Sequence, residues 1–235
     1  MSLLAFDTST STMSIAIKHQ DGRVWQHEAL GATQSSTQLI PTIERLMALA
    51  QLRFHQLRAI VFGQGPGSFT GLRTACSVAQ GLSFASQVPV LPVQTLLAVA
   101  EEARFTYVPH LCQWRVLALL DARMDEMYAG HYQYQDGQWR SDGPIHLLRP
   151  EDLRPNAACA WAGNVFATYG TRMPRSTHPA LVRWHAQPSA LALLRLAPQL
   201  LSAGGAQAAE QALPLYIRDK VAQTTLERAA KKGLA

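Results

Sequence analysis

The sequence predicts an α/β protein built from two similar halves, and three observations lead there. Strand-like apolar runs alternate with helical patterns along the chain. An ordered series of strand, acid, polar turn, strand, Asp-Gly turn and tryptophan-bearing strand occurs twice. A glycine-rich loop, Gly63 to Arg73, joins a buried strand to the start of a helix. With 48% hydrophobic residues, the 235-residue chain can fill a sizeable core.

Leu3 to Asp7 is an apolar run ending in an acid, followed by the hydroxyl-rich turn Thr8 to Thr12. Ser14 to Lys18 returns as a strand, and the Asp21-Gly22 turn leads to a strand carrying Trp25, which makes a three-strand meander. Leu39, Ile40, Ile43, Leu46, Met47 and Ala50 recur at helical spacing from Ser36 onward. Ala59 to Phe62 reads as a strand, with Ser68 or Thr70 placed to cap a helix that runs from about Thr70 to Ala85. A short run, Val88 to Leu91, and a helix from about Thr95 to Arg104 complete the first half. In the second half Leu117 to Asp121 echoes Leu3 to Asp7, Met127 to Tyr132 echoes the second strand, and Asp136-Gly137 precedes Trp139. Ile145 to Leu148 and Ala158 to Ala162 read as further strands, and Ser189 to Leu201 as an amphipathic helix. The expected division is 1–105, holding the glycine loop, and 106–235, whose last helix and tail can pack back on the first half.

Several chemistries are excluded. The glycine loop has no lysine, so it is not a Walker loop, and Ser68 stands where a dinucleotide fingerprint needs its third glycine. Pro66 removes one backbone donor from any phosphate cradle. Cys76, Cys112 and Cys159 are far apart and imply neither a disulfide framework nor a zinc knuckle. No two of the eight histidines are four apart, and neither His-Glu-x-x-His nor Gly-x-Ser-x-Gly occurs, so no metal site and no protease are expected. The sequence shows no positively charged start followed by an apolar run and no membrane-length apolar run, and a cytoplasmic protein is expected. The net charge of +5 favours an acidic partner such as nucleic acid. The only loose basic clusters are Arg172, Arg175 and Arg183, and Arg228, Lys231 and Lys232.

The Asp7-Thr8-Ser9-Thr10 start, the Gly63 to Arg73 loop, Gln80-Gly81-Leu82, the Asp121 to Tyr128 segment and Tyr216-Ile217-Arg218 together resemble the bacterial TsaB family, formerly YeaZ. The resemblance spans nearly the whole chain. It implies the duplicated actin-like fold of sugar kinases and heat-shock chaperones, with two subdomains that each hold a mixed sheet and flanking helices. It also implies a role in forming threonylcarbamoyladenosine beside the anticodon of tRNAs that read codons starting with adenine. In that scheme a separate enzyme makes threonylcarbamoyl adenylate, and the paralogue TsaD, with the ATPase TsaE, needs TsaB as a non-catalytic partner. ATP and a metal ion then belong to the partner proteins, and the chain has no cofactor and no catalytic residue of its own. Alone, it is expected to form a homodimer, and it meets tRNA through the complex. The sequence departs from the family at Ser35, Ser36 and Thr37, where relatives often carry a histidine. Asp7 also lacks the glycine that follows the acid in active kinases of this fold.

The residues expected to face a nucleotide or phosphate are Asp7, Thr8, Ser9, Gly65, Gly67, Ser68, Thr70, Gly71 and Asp121. Those expected to meet a partner are Leu39, Ile43, Leu46, Arg73, Ala75 and Ala79. An alternative reading is an autonomous kinase or ATPase, with Asp7 and Asp121 flanking ATP and magnesium.

Overall fold

The computed structural model describes residues 1–30, 35–154, 159–174 and 182–218. Two mixed sheets carry the molecule. The first comprises β1 (Leu3–Asp7), β2 (Thr12–Lys18), β3 (Val24–Leu30), β4 (Ala59–Gly65) and β5 (Val90–Gln94), in the order β3-β2-β1-β4-β5. The second comprises β6 (Gln113–Arg123), β7 (Glu126–Gln135), β8 (Gln138–Ser141), β10 (Ala160–Gly163) and β11 (Arg183–His185), in the order β8-β7-β6-β10-β11. A short strand, β9 (His146–Leu148), pairs with β7 outside that path.

The two orders match strand for strand. Each sheet opens with an antiparallel meander and ends with two parallel strands, so the repeat read from the sequence is a topological duplication. This is the duplicated actin-like α/β fold.

The helices are α1 (Ser35–Leu49), α2 (Phe69–Ser86), α3 (Thr95–Tyr107), the single-turn α4 (Phe166–Tyr169) and α5 (Ala190–Ser202). Alternation along β1 and β2 divides their side chains between two faces. Leu4, Phe6, Ile15 and Ile17 point outward and are covered by α1 and α2, while Leu3, Ala5 and Ala16 point inward. The inward faces of both sheets share one core, with α3 and α5 layered between them. The coverage is crossed. α5, from the second half, lies on β1, β2, β4 and β5, whereas α3, from the first half, lies chiefly on β6, β7 and β10. Ser189 caps α5 by accepting from Ala192 N at 3.0 Å, and the next amide, Ala190 N, donates to Ser14 Oγ on β2 at 2.9 Å.

A buried ionic knot fastens this middle layer. The Glu101 carboxylate accepts from Arg104 Nε, Arg195 Nε and Trp139 Nε1 at 2.8, 2.9 and 2.9 Å, which ties α3 to α5 and to β8. Donors from three residues, with Arg104 Nη2 adding a fourth bond at 3.0 Å, supply the pairing that makes a buried charge tolerable.

Most of the expected elements are present, with three differences. The strand expected to stop at Phe62 continues to Gly65, and the strand expected from Leu117 begins at Gln113. β11 and α4 were not expected, being too short to show a period. The expected partner stripe is a correction: Leu39, Ile43, Leu46, Ala75 and Ala79 are buried in this chain's own core, at most 3% exposed. An apolar stripe at helical spacing covers the sheet that its own helix lies on.

Candidate functional site

The carboxyl ends of β1 and β6 face each other across a cleft of about 280 Å³. One wall is the hydroxyl-rich turn Ser9 to Ser11 with Gly67, Ser68 and Phe69. The other is Asp121 to Arg123 with Tyr128 and Asn164, and Leu215 to Arg218 run along it as a strap.

The glycine loop is shut against the first hairpin. Ser68 N donates to Ser9 O at 2.7 Å, and Thr8 Oγ1 donates to Gly71 O at 2.7 Å. A Cβ on Gly71 would overlap Thr8 O, and one on Gly67 would lie 2.5 Å from Ser9 O. These glycines serve close approach of backbone to backbone. Ser68 caps α2 through a long 3.5 Å bond from Gly71 N.

Asp7 lies beneath this seal and is 1% exposed. Its Oδ1 accepts from Ser9 N at 2.9 Å and Ser9 Oγ at 2.6 Å, while Oδ2 is buried under Gly63 without a partner. Burial raises its pKa, and the two Ser9 bonds only partly oppose that.

Asp121, the matching acid, does face the cleft. Tyr169 Oη and Arg123 N donate to its Oδ1 at 2.9 and 2.8 Å, and Arg123 Nη1 stands 3.4 Å from Oδ2. Burial and the bond to Asp121 push the Tyr169 phenol up to about 12. Asn164 Oδ1 accepts from Asp121 N at 3.0 Å. The hairpin tip beyond it, Arg123, Met124 and Asp125, holds three successive positive φ angles of 61°, 55° and 62°, a costly conformation for residues with side chains.

The strap grips both halves. Leu215 N donates to Gln64 O at 2.7 Å, Tyr216 packs on Phe69 with ring centroids 5.5 Å apart, and Arg73 Nε donates to Tyr216 Oη at 3.2 Å. Arg218 Nη2 donates to Glu126 Oε2 at 2.6 Å and to Arg123 O at 3.2 Å, so it clamps the strained tip.

Of the residues expected at a nucleotide, Ser9, Gly67, Ser68 and Asp121 line the cleft. Asp7, Thr8, Gly65 and Gly71 are buried behind it, and Thr70 is exposed outside it. Arg73 is the only member of the expected partner set at the surface. Asn164, Tyr169 and the strap were missed as site residues. Asn164 directly follows β10, the parallel neighbour of β6, so the end of the strand expected from Ala158 to Ala162 was the one local pointer to it. Among the described residues no three His, Cys, Asp or Glu side chains converge as a metal site, and no helix is long and apolar enough to cross a membrane.

The family model for TsaD, tRNA N6-adenosine threonylcarbamoyltransferase, matches residues 29–153. The tRNA threonylcarbamoyladenosine biosynthesis protein TsaB of Escherichia coli is 30% identical, over 94% of this chain and 96% of that protein. The protein of the same name from Haemophilus influenzae is also 30% identical, over 94% and 95%. The chain belongs to the TsaB family. A solved structure titled YeaZ from Pseudomonas aeruginosa is 39% identical, with a TM-score of 0.82 over 92% of this chain and 99% of that one. Four of the five segments that carry the resemblance fall together in space: the first hairpin, the glycine loop, the Asp121 to Tyr128 tip and the Tyr216-Ile217-Arg218 strap border or brace this cleft, whereas Gln80-Gly81-Leu82 lies away from it within α2.

Proposed function

We propose that this protein is the non-catalytic TsaB-type partner in threonylcarbamoyl transfer to tRNA, acting in the cytoplasm with a TsaD-like paralogue and a TsaE-like ATPase. The role in threonylcarbamoyladenosine biosynthesis rests on likeness to the named TsaB proteins along nearly the whole chain. The non-catalytic part rests on one observation, the seating of the glycine loop on the Thr8 to Ser9 hairpin. By the resemblance, active kinases of this fold carry a glycine after the acid, where the nucleotide phosphates approach, and this chain has Thr8 there. Here Thr8 is locked to Gly71, and Asp7 is sealed in an environment that disfavours its charge. A metal-bound nucleotide does not fit those residues, and the reading assigns ATP and metal to the partner proteins.

With the inward stripes of α1 and α2 committed to the core, the partner surface falls on their outer faces. Ile40, Leu49 and Phe84 are exposed there, Phe84 to 73%. Large apolar side chains left on adjacent helices suit a helix pair from a paralogue, or from a second copy when the protein is alone. The test is reconstituted transfer to tRNA with TsaD, TsaE and the adenylate-forming enzyme, with and without this protein, beside nucleotide binding by the isolated chain. Transfer that requires the protein, with no nucleotide held by it alone, is expected. Transfer without it, or turnover of ATP in isolation, overturns the reading.

A further inference from the structure

The duplication allows one half to be compared with the other, and they differ at the outer face of the second sheet. In the first sheet that face is apolar and roofed by α1 and α2. In the second, the described residues roof the same face at the cleft end, where Leu117, Leu119 and Met127 pack with Trp161, Val165 and Tyr169. Toward the other end the alternation of β6, β7 and β8 continues with polar residues. Arg115, Gln133 and Arg140 stand in one cross-strand row, and Gln113, Gln135 and Gln138 stand in the next. His131 begins the row above, where Arg183 lies over the Trp161 ring at 5.2 Å from its centroid.

No acid stands in the Arg115 or Gln113 row; Asp142 stands opposite His131 in the row above, its N donating to His131 O at 2.9 Å, and Asp136 lies in the turn before β8. The acids of this half that form ion pairs do so with Arg123, Arg172 and Arg218, so Arg115 and Arg140 are exposed without an ion-pair partner among the described residues. A sheet face that no described residue covers, bearing long donor side chains in these rows and no large apolar one, is a poor match for a protein partner, whose contact needs an apolar centre. It is a good match for a phosphodiester backbone, which arginine and glutamine side chains contact without reading sequence.

We infer that this basic face of the second sheet docks the RNA backbone of the tRNA substrate directly, an inference that rests on the function proposed above. The test uses the full-length protein, alone and in its complex, with an unmodified tRNA transcript as probe in fluorescence anisotropy across a salt series. Arg115→Gln with Arg140→Gln is expected to weaken binding about tenfold near 0.15 M salt and to flatten the log–log salt slope by about 1.5. Arg115→Lys with Arg140→Lys is expected to restore most of it. Arg53→Gln with Arg58→Gln, exposed arginines of the first half, is expected to leave binding unchanged. Equal losses from both glutamine pairs would reduce the effect to diffuse charge and overturn the inference. So would unaltered tRNA binding, including the case where the variant instead loses a protein partner. In reconstituted transfer the variant is expected to raise KM for tRNA with kcat retained. Transfer that needs the protein but ignores the variant sinks the docking face alone, whereas transfer that does not need the protein sinks the proposed function and leaves the anisotropy result to judge the face.

Discussion

Asp7 illustrates how burial alone changes what a carboxylate can do. Its pKa is raised by burial, so the folded state disfavours its charge. The unfolded chain releases that proton near pH 4, and stability therefore falls as pH rises from there through the folded pKa. Asp7→Asn removes the charge at nearly constant shape. Its thermal midpoint at pH 7 is expected to exceed that of the parent, with little difference at pH 4. Equal midpoints for the two proteins at both pH values would show that Asp7 is not a buried cost. At Gly71 the added methyl of an alanine would meet Thr8 O, where backbone stands on both sides. Gly71→Ala is expected to cost about 3 kcal/mol in urea unfolding and to open the hairpin to proteolysis.

The two outer helices show what an element's two faces do. Leu46 lies in the core, and Leu46→Ala is expected to cost about 2–5 kcal/mol in stability. Phe84 lies on the other side, and Phe84→Asp is expected to leave the melting curve within about 0.5 kcal/mol while weakening association with a TsaD-like partner at least tenfold, read by titration calorimetry. The reverse pattern would return the interface to the inward stripe. That stripe was legible in the sequence as a helical period, but a period says only that a helix has an apolar side, not what covers it. The long strands and helices were legible for the same reason. β11 and α4 are held by their neighbours' packing, which three or four residues cannot encode locally. Within the site, Asp121 was legible through the repeat, whereas Tyr169 and the strap reach the cleft from 48 and 92 or more positions away, a pairing no local spacing displays.

At the scale of the whole molecule, the crossed placement of α3 and α5 joins the halves through one core, fastened at Glu101. The consequence concerns time. α5 ends at Ser202, and it is the helix that lies on β1, β2, β4 and β5. During synthesis the inward face of β1 and β2, with Leu3, Ala5 and Ala16, therefore stays uncovered until most of the chain has left the ribosome. A fragment of residues 1–110 is expected to bind a hydrophobic dye and to melt without a sharp transition, where the whole chain melts in one. A sharply melting fragment would mean that the first half finishes folding by itself. If the fragment behaves as expected, nascent chains of this protein carry a sticky, half-built sheet for most of their birth, and α5, made late in the chain, is the helix that ends their exposure to chaperones.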